Sequence, residues 1–193
     1  MKPGSRVLVV DVEATCWRGH PPPGERREII EIGVCELDIQ RARPGPAYSI
    51  LVKPQRSHIS EFCTRLTSIT PEMAAQGILF NEACTVLRRD YRSCELIWSS
   101  WGKDDRKMFE EQCATLRVSY PFSPQHIDLR RLFAMVTRQD KSVKLRYVGL
   151  LKALELAGLQ YRGKVHRGVD DAYNTARLLA MMVQQHGTGI LQA

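Results

Sequence analysis

The residues with the clearest chemical potential are two acids that follow an apolar run near the start of the chain. In the stretch VLVVDVEATCW, residues 7–17, Asp11 and Glu13 stand one residue apart, directly after an aliphatic run. Side chains at positions i and i+2 of a strand point to the same face, so a strand here would hold both carboxylates close together. Such like charges repel unless a cation lies beside them, and Mg²⁺ prefers carboxylate oxygens. The alternative is a frayed strand end that exposes two hydrated acids.

Two further groups of acids lie later in the chain. WGKDD, residues 101–105, places Asp105 three residues after Gly102 at the predicted start of a helix. HRGVDDAYNTARLL, residues 166–179, begins with His166 and carries Asp170 and Asp171 at the predicted start of the last helix. Acids in a first helical turn commonly cap free N–H groups and interact favourably with the helix dipole. Taken alone, each of these groups is therefore explained by helix capping.

Taken together and in this order, the three acidic segments resemble the DEDDh group of the DnaQ-like 3′–5′ exonucleases. The matching motifs are D-x-E on the first strand, G-x-x-D after a central strand and H-x-x-x-x-D at the last helix. With LTSIT, residues 66–70, they are most similar to the subgroup of KapD-like proteins and histone-mRNA or enhanced-RNAi exonucleases. The resemblance extends from about residue 6 to residue 184. One departure is Ser68, which stands where relatives often carry glycine.

The resemblance implies a catalytic set of four carboxylates and one histidine: Asp11, Glu13, Asp105, Asp171 and His166. The four carboxylates would bind two Mg²⁺ ions, for which Mn²⁺ is a possible substitute. His166 would take the proton from the attacking water, a role that suits an imidazole because its ordinary pKa of about 6.5 lies near neutral pH. Asp104 and Asp170 would then be neighbours of the metal ligands or helix caps.

The resemblance also implies a pocket for the terminal nucleotide. Its predicted lining consists of Ala14, Thr15, Leu66, Ile69, Trp17 and Trp101. Leu66 and Ile69 are expected to contact the last base, while Trp17 and Trp101 either stack on bases or pack in the core. Basic residues beside the motifs either follow the phosphate backbone or lie on a hydrated surface: Arg26, Arg27, Arg162, Lys164 and Arg167.

Strands interleaved with helices are predicted to position these groups. The expected strands are residues 6–11, 28–39, 47–54, 94–100 and 126–129, with RARPGP as a turn between the second and third. The expected helices are residues 81–91 with Asn81 as N-cap, 103–116, 146–159 with Gly158 as C-cap, and about 169–186. The short strand at 126–129 is also expected to lead into a helix. In the helix over residues 146–159, Val148, Leu151, Leu154 and Leu156 are expected to form the apolar side. This alternation predicts an α/β fold with a mixed sheet, and the resemblance implies the ribonuclease H-like three-layer form, with helices flanking the central sheet.

Composition limits the class of protein. A chain of 193 residues with 44% hydrophobic and 25% charged residues suits a globular protein, and one exonuclease domain over residues 1–193 is expected. No apolar run approaches the roughly 20 residues of a membrane span, and the N-terminal run is too short for a signal peptide, so a cytoplasmic location is expected. Six scattered cysteines are expected to be reduced thiols. The net charge of +7 is compatible with a polyanionic partner, although many basic proteins bind none.

These observations predict a metal-dependent 3′–5′ exonuclease that hydrolyses single-stranded nucleic acid from the 3′ end and releases nucleoside 5′-monophosphates. RNA is favoured over DNA because of the subgroup that the motifs resemble. The first alternative is a DNA 3′–5′ exonuclease in proofreading or repair. The second is a non-catalytic RNA-binding regulator, although such a protein would be expected to have lost one of the acidic ligands.

Overall fold

The computed structural model describes residues 5–137 and 148–192. Five strands form one sheet: β1 (Arg6–Ala14), β2 (Ile29–Asp38), β3 (Arg43–Leu51), β4 (Ile97–Ser100) and β5 (His126–Asp128). The helices of the described residues are α1 (Glu61–Thr67), α2 (Pro71–Ala75), α3 (Phe80–Asp90), α4 (Asp104–Leu116), α5 (Leu129–Val136), α6 (Leu150–Leu156) and α7 (Gly168–His186). A short 3-10 helix, Thr188–Gln192, follows α7.

The sheet is mixed and has the strand order β3-β2-β1-β4-β5. β1 and β2 pair antiparallel, as do β2 and β3, so the predicted meander is confirmed. β4 pairs parallel with β1, and β5 pairs parallel with β4. The register of the first pair sets Asp11 opposite Gly33 and Glu13 opposite Glu31. The carboxyl end of β1 therefore lies next to the beginning of β2.

β1 is buried on both of its faces. Val7 and Val9 pack into the cluster that includes side chains of α5, α6 and α7, whereas Leu8 and Val10 pack into the cluster that includes α3 and α4. A central strand that is buried on both faces has a continuous aliphatic sequence, which explains VLVV at residues 7–10. The predicted α/β fold with helices on both sides of a mixed sheet is confirmed. By alternation, Asp11 and Glu13 share the face of Val7 and Val9, which α7 covers.

α7 begins very close to the sheet. A Cβ atom added at Gly33 of β2 would lie 1.9 Å from the carbonyl oxygen of Gly168, the first residue of α7. Only a glycine at position 33 leaves room for this backbone approach. The side of α7 that faces the sheet is apolar, and its residues Ala172, Ala176 and Leu179 are all fully buried.

Several boundaries differ from the sequence prediction. β1 continues to Ala14, and β4 begins only at Ile97. β3 begins at Arg43, so Pro44, Gly45 and Pro46 belong to a strand rather than to a turn. Proline is tolerated there because β3 is at the edge of the sheet, where each residue needs only one neighbouring strand. Asn81 does not cap α3; it lies inside that helix, which begins after Leu79.

Three helices also depart from expectation. α1 and α2 were not predicted, and the LTSIT segment joins them, with Ser68 in the left-handed conformation at φ 65°. α6 is shorter than predicted, although the predicted positions 146 and 147 lie outside the described residues. Leu151 and Leu156 are 49% and 46% exposed rather than in the core. In the described part of the chain, no helix is long and apolar enough to cross a membrane.

Candidate active site

Four acids from three elements meet where β1 ends. Asp11 and Glu13 come from β1, Asp105 lies in the first turn of α4, and Asp171 lies in the first turn of α7. The Val12 N–H donates a hydrogen bond of 3.0 Å to Oδ1 of Asp105. This bond connects the start of α4 to the residue between Asp11 and Glu13. Asp105 is buried whereas Asp104 is exposed. The structure therefore places the predicted member of that pair, Asp105, at the site.

The loop before α7 brings His166 to the same place. The backbone N–H of His166 donates to Oδ2 of Asp171 over 3.0 Å, and His166 adopts a left-handed backbone with φ 62°. Side-chain ligand atoms of Glu13, His166 and Asp171 all lie within 4.8 Å of one another. Asp170 faces elsewhere, since its Oδ2 accepts from the Lys164 N–H over 2.9 Å. The arrangement leaves the exposed imidazole of His166 beside two carboxylates.

Burial raises the pKa of all four site carboxyl groups, and repulsion within the cluster adds to the effect at Asp11 and Glu13. Burial raises the pKa of Asp11 well above its ordinary value, and Asp105, Asp171 and Glu13 add to the effect. Burial, followed by Asp171, raises the pKa of Glu13 to about 8. The pKa of Asp105 is raised to about 6 by burial, against the hydrogen bond from Val12. Burial also raises the pKa of Asp171, against a hydrogen bond from the hydroxyl of Tyr161. Full ionisation of this set requires added positive charge.

The donor set matches a hard divalent cation. Oxygen ligands from several carboxylates are what Mg²⁺ and Mn²⁺ prefer, and a cation among them would displace the protons that repulsion otherwise retains. The single imidazole beside Glu13 and Asp171 is suited to proton transfer. Such a combination of clustered carboxylates and a histidine is able to support metal-assisted hydrolysis.

Two of the predicted pocket residues, Ile69 and Thr15, are completely buried instead. Ile69 is fully buried and packs with Ile30 and Cys63, so the predicted contact with a base is not available to its side chain. Thr15 is also fully buried, and its hydroxyl donates to the carbonyl of Arg26 and accepts from the N–H of Glu28. Both side chains stabilise the segments beside the acids rather than lining an open pocket.

The remaining pocket residues are placed differently from one another. Leu66 and Trp17 are half-buried, so part of each side chain reaches the surface. Ala14 is buried, with only 4% of its surface exposed. Trp101 is half-buried, packs against Phe133 and donates from Nε1 to the Val148 carbonyl over 3.2 Å. The packing alternative therefore accounts for the known contacts of Trp101.

The basic residues beside the motifs divide into two groups. Arg26, Arg27, Arg162 and Lys164 are exposed. Arg167 instead forms an ion pair with Glu31 of β2, with a distance of 2.8 Å between Nη2 and Oε1. Its predicted role in following a phosphate backbone is not supported by this pairing.

Two residues of the site were not predicted from the sequence. The hydroxyl of Tyr161 donates to Oδ1 of Asp171 over 2.9 Å. Glu31 lies opposite Glu13 and is completely buried. A signal for Glu31 was present, because an acid between Ile30 and Ile32 in a buried strand requires a specific partner. No comparable signal marks Tyr161, which precedes the last motif in an irregular segment.

The architecture and the site can be compared with known proteins. The exonuclease family model, RNase_T, matches residues 8–179 of the chain. The chain belongs to the exonuclease family. The predicted resemblance to the DEDDh exonucleases is thereby confirmed, and members of this family use divalent metal ions.

Relatives of this exonuclease family member include 3′-5′ exoribonuclease 1 of Rattus norvegicus, which is 30% identical over 189 residues. The match covers 92% of this chain and 53% of the rat protein, so the chain spans about half the length of such curated relatives. Among solved structures, the nuclease domain of 3′hExo, a DEDDh family member bound to rAMP, superposes with a TM-score of 0.84 at 28% identity. That superposition covers 94% of this chain and 93% of the other.

A second solved structure concerns 3′-end specific recognition of a histone mRNA stem-loop by a 3′-exonuclease. It superposes with a TM-score of 0.80 at 26% identity and covers 94% of this chain and 83% of the other. The ribonuclease H-like fold of this exonuclease family member is therefore shared with enzymes that act on nucleic acid 3′ ends.

Proposed function

We propose that this protein is a metal-dependent 3′–5′ exonuclease that acts on single-stranded RNA and releases nucleoside 5′-monophosphates. The observation that carries the proposal is the meeting of four carboxylates and one histidine at the carboxyl end of β1: Asp11, Glu13, Asp105, Asp171 and His166. Membership of the exonuclease family supports the reaction type. Its single exonuclease domain would provide the whole catalytic set.

The four carboxylates would hold two Mg²⁺ ions, or Mn²⁺ in their place. When bound, such ions generate a nucleophile from water and neutralise charge on the phosphate and the leaving 3′-oxygen. His166 would accept the proton of the attacking water at its imidazole, which is exposed and adjacent to Glu13 and Asp171. Val12 holds Asp105 and the His166 backbone holds Asp171, so both carboxylates keep a fixed orientation.

The preference for RNA is inferred from relatives. The rat relative is an exoribonuclease by name, and the similar nuclease domain of 3′hExo was solved with rAMP. Leu66 and Trp17, each half-buried near the site segments, are the proposed contacts for the terminal nucleotide. The exposed residues Arg26 and Arg27 follow Glu13 along the chain and would contact the phosphate backbone. A cytoplasmic location is proposed from the sequence and is tested by cell fractionation.

The test is release of mononucleotides from matched RNA and DNA oligonucleotides labelled at either end, with Mg²⁺, with Mn²⁺ or with EDTA. We expect 5′-monophosphates, removed one at a time from the 3′ end, only when a divalent ion is present. Asp11→Ala and Asp105→Ala should nearly abolish release, and His166→Ala should lower the rate by about 10²–10⁴, the typical contribution of a general base. Asp104→Ala is the matched control, because Asp104 is exposed.

Three results would contradict the proposal in separate ways. Wild-type rates for Asp105→Ala would remove Asp105 from the site. Faster hydrolysis of DNA than of RNA would favour the DNA exonuclease alternative. Binding of RNA without any release in Mg²⁺ or Mn²⁺ would favour a non-catalytic regulator.

A further inference from the structure

Glu31 lies beside the four site carboxylates, but its contacts set it apart from them. Its side chain is completely buried on β2, directly opposite Glu13. Oε1 accepts from the hydroxyl of Ser49 over 2.6 Å and from Nη2 of Arg167 over 2.8 Å. Oε2 accepts from Nε of Arg167 over 3.1 Å and from the Gly168 N–H over 2.8 Å. A carboxylate offers about four lone-pair positions, so Glu31 retains none for a metal ion.

The guanidinium of Arg167 is bound by the same carboxylate. Its Nε and Nη2 bind the two oxygens of Glu31 side by side, which is the bidentate geometry that gives guanidinium–carboxylate pairs their directional strength. Burial alone would raise the pKa of Glu31, but the hydrogen bonds from Arg167 and Ser49 outweigh it and lower that pKa below its ordinary value. Glu31 is therefore ionised, and the pair remains charged at neutral pH.

The pair joins a rigid strand to the segment that carries the histidine. Arg167 lies between His166, in the loop before α7, and Gly168, the first residue of α7. The Gly168 N–H, at the first turn of α7, binds the same carboxylate. Glu31 thus fixes the Arg167 side chain and the first backbone N–H of α7 to β2.

The loop needs such a restraint. His166 is held at φ 62°, a left-handed conformation that costs a non-glycine residue roughly 1–2 kcal/mol. Strained backbone persists only where surrounding contacts determine it, and the bonds of Glu31 to Arg167 and Gly168 are the contacts immediately after His166. The His166 N–H is also bonded to Asp171, so loss of the Glu31 bonds would loosen the backbone directly after His166 and shift the imidazole relative to Glu13 and Asp171.

We propose that Glu31 and Arg167 are positioning residues that act through His166 and hold its imidazole in place for proton transfer. The proposal rests on the proposed nuclease function. It excludes two other roles for these residues. Arg167 would not be a primary phosphate ligand, because its guanidinium already binds Glu31, and Glu31 would not be a metal ligand, because both of its oxygens are occupied.

A double-mutant cycle tests this dependence. Arg167→Ala is made in the wild-type protein and in His166→Ala, and kcat and KM are measured on single-stranded RNA in Mg²⁺. In the wild-type background, we expect kcat to fall about 10- to 100-fold with KM changed less than about threefold, because misplacing a catalytic group affects the chemical step. In the His166→Ala background, the same change should lower kcat less than about threefold, because the group being positioned is already absent.

Two further variants keep the test valid if Arg167→Ala does not fold. Arg167→Lys keeps the charge but loses the bidentate fork, and Glu31→Gln keeps the size but loses the charge, so each should give a smaller loss of kcat with the same dependence on His166. Arg65→Ala is the matched control. It breaks the exposed pair between Arg65 and Glu61, whose atoms lie 3.3 Å apart, and should leave kcat unchanged.

A second measurement does not require activity. The imidazole resonances of His166 are identified in ¹⁵N-labelled protein by comparison with His166→Ala and are then recorded for Arg167→Ala or Arg167→Lys. A shifted or broadened His166 signal is expected, while the remaining histidines of the five in the chain stay unchanged. An unchanged His166 signal would overturn the positioning proposal whether or not the protein has nuclease activity. Absence of nuclease activity, by contrast, would refute the proposed function.

Two kinetic results would also overturn the proposal. Equal losses of kcat in both backgrounds would mean that Arg167 acts independently of His166. A large rise in KM, together with a weaker dependence of binding on salt, would identify Arg167 as a phosphate ligand instead.

Discussion

Gly33→Ala is the substitution with the most sharply defined structural consequence. Gly33 lies on β2 opposite Asp11 and directly beneath the first residue of α7. A methyl group there would approach the Gly168 carbonyl oxygen to 1.9 Å and the Val169 nitrogen to 2.5 Å. Both contacts are with backbone, so rotation of a side chain does not relieve them. The start of α7 must move away from β2.

The size of that movement follows from the contact distance. Real Cβ atoms essentially never approach other atoms closer than 3.0 Å, so α7 must withdraw by about 1 Å, a displacement that lowers the rate of a positioned reaction by roughly 10²-fold. Overpacking of this kind costs about 1–3 kcal/mol of stability. Because a domain has about 5–15 kcal/mol of stability, most of the variant stays folded. Asp171 and His166 move with the helix, so activity should fall much more than stability.

Two measurements on the same preparation separate these effects. The rate of nucleotide release from RNA is compared with the free energy of unfolding from urea titration. Gly189→Ala is the control, because a Cβ atom at Gly189 meets no atom within 4 Å. If folded Gly33→Ala released nucleotides within about threefold of the wild-type rate, the inferred coupling between the position of α7 and activity would be refuted.

Three other predictions follow from single residues. The pKa of Glu13 is raised in the fold from 4.5 to about 8, so its stabilising contribution is complete below pH 4.5 and is lost as pH rises through 8. In EDTA, the Tm of the wild type should therefore fall between pH 4.5 and pH 8 relative to the Tm of Glu13→Gln. Mg²⁺ should raise the wild-type Tm more at pH 8 than at pH 6. Equal dependence of Tm on pH in the two proteins would contradict this. Ser68→Gly should raise the free energy of unfolding by about 0.5–1 kcal/mol in urea titration, because glycine adopts the left-handed conformation at φ 65° without strain. Glu28→Gln should lower the same quantity by about 2–4 kcal/mol, since the buried carboxylate accepts from the N–H groups of residues 55, 56 and 57; a loss under about 1 kcal/mol would show that these bonds contribute little.

The acids of the site could be predicted because their motifs resemble those of the DEDDh exonucleases, and local geometry agrees with that set. Alternation along β1 places Asp11 and Glu13 on one face, and Asp105 and Asp171 each stand in a first helical turn. These relations depend on residues close in sequence. The motif spacing of the family that the chain resembles favours one acid of each adjacent pair, and burial of Asp105 beside exposed Asp104 agrees with that choice.

Contacts between distant segments could not be predicted in the same way. Arg167 appeared available for phosphate because its partner, Glu31, lies 136 positions away in sequence. Ile69 appeared suitable for a base contact, but packing against Ile30 of β2 buries it. In both cases, the tertiary contact determined whether the side chain was accessible.

The sequence also carries local signals for the start of α1 and α2. Ser60 and Thr70 both accept from the backbone N–H three residues later, and Pro71 begins α2, a combination typical of helix starts. The short lengths of α1 and α2 left too little periodicity to reveal them. The prolines at 44 and 46 indicated a turn because nothing in the local sequence marks β3 as an edge strand.

Those prolines have a consequence for how the molecule behaves in a crowded solution. An exposed sheet edge offers unpaired N–H and C=O groups on which a strand of another chain can assemble. β3 lacks the N–H donor at Pro44 and Pro46, and the opposite edge, β5, is only three residues long. Neither edge is a good template for an added strand. At its other end, the edge of β3 is occupied by Ile78, whose N–H donates to the Leu51 carbonyl and whose carbonyl accepts from the Lys53 N–H. The sheet is thus protected from edge-to-edge aggregation, and its self-association would have to use side chains rather than the backbone.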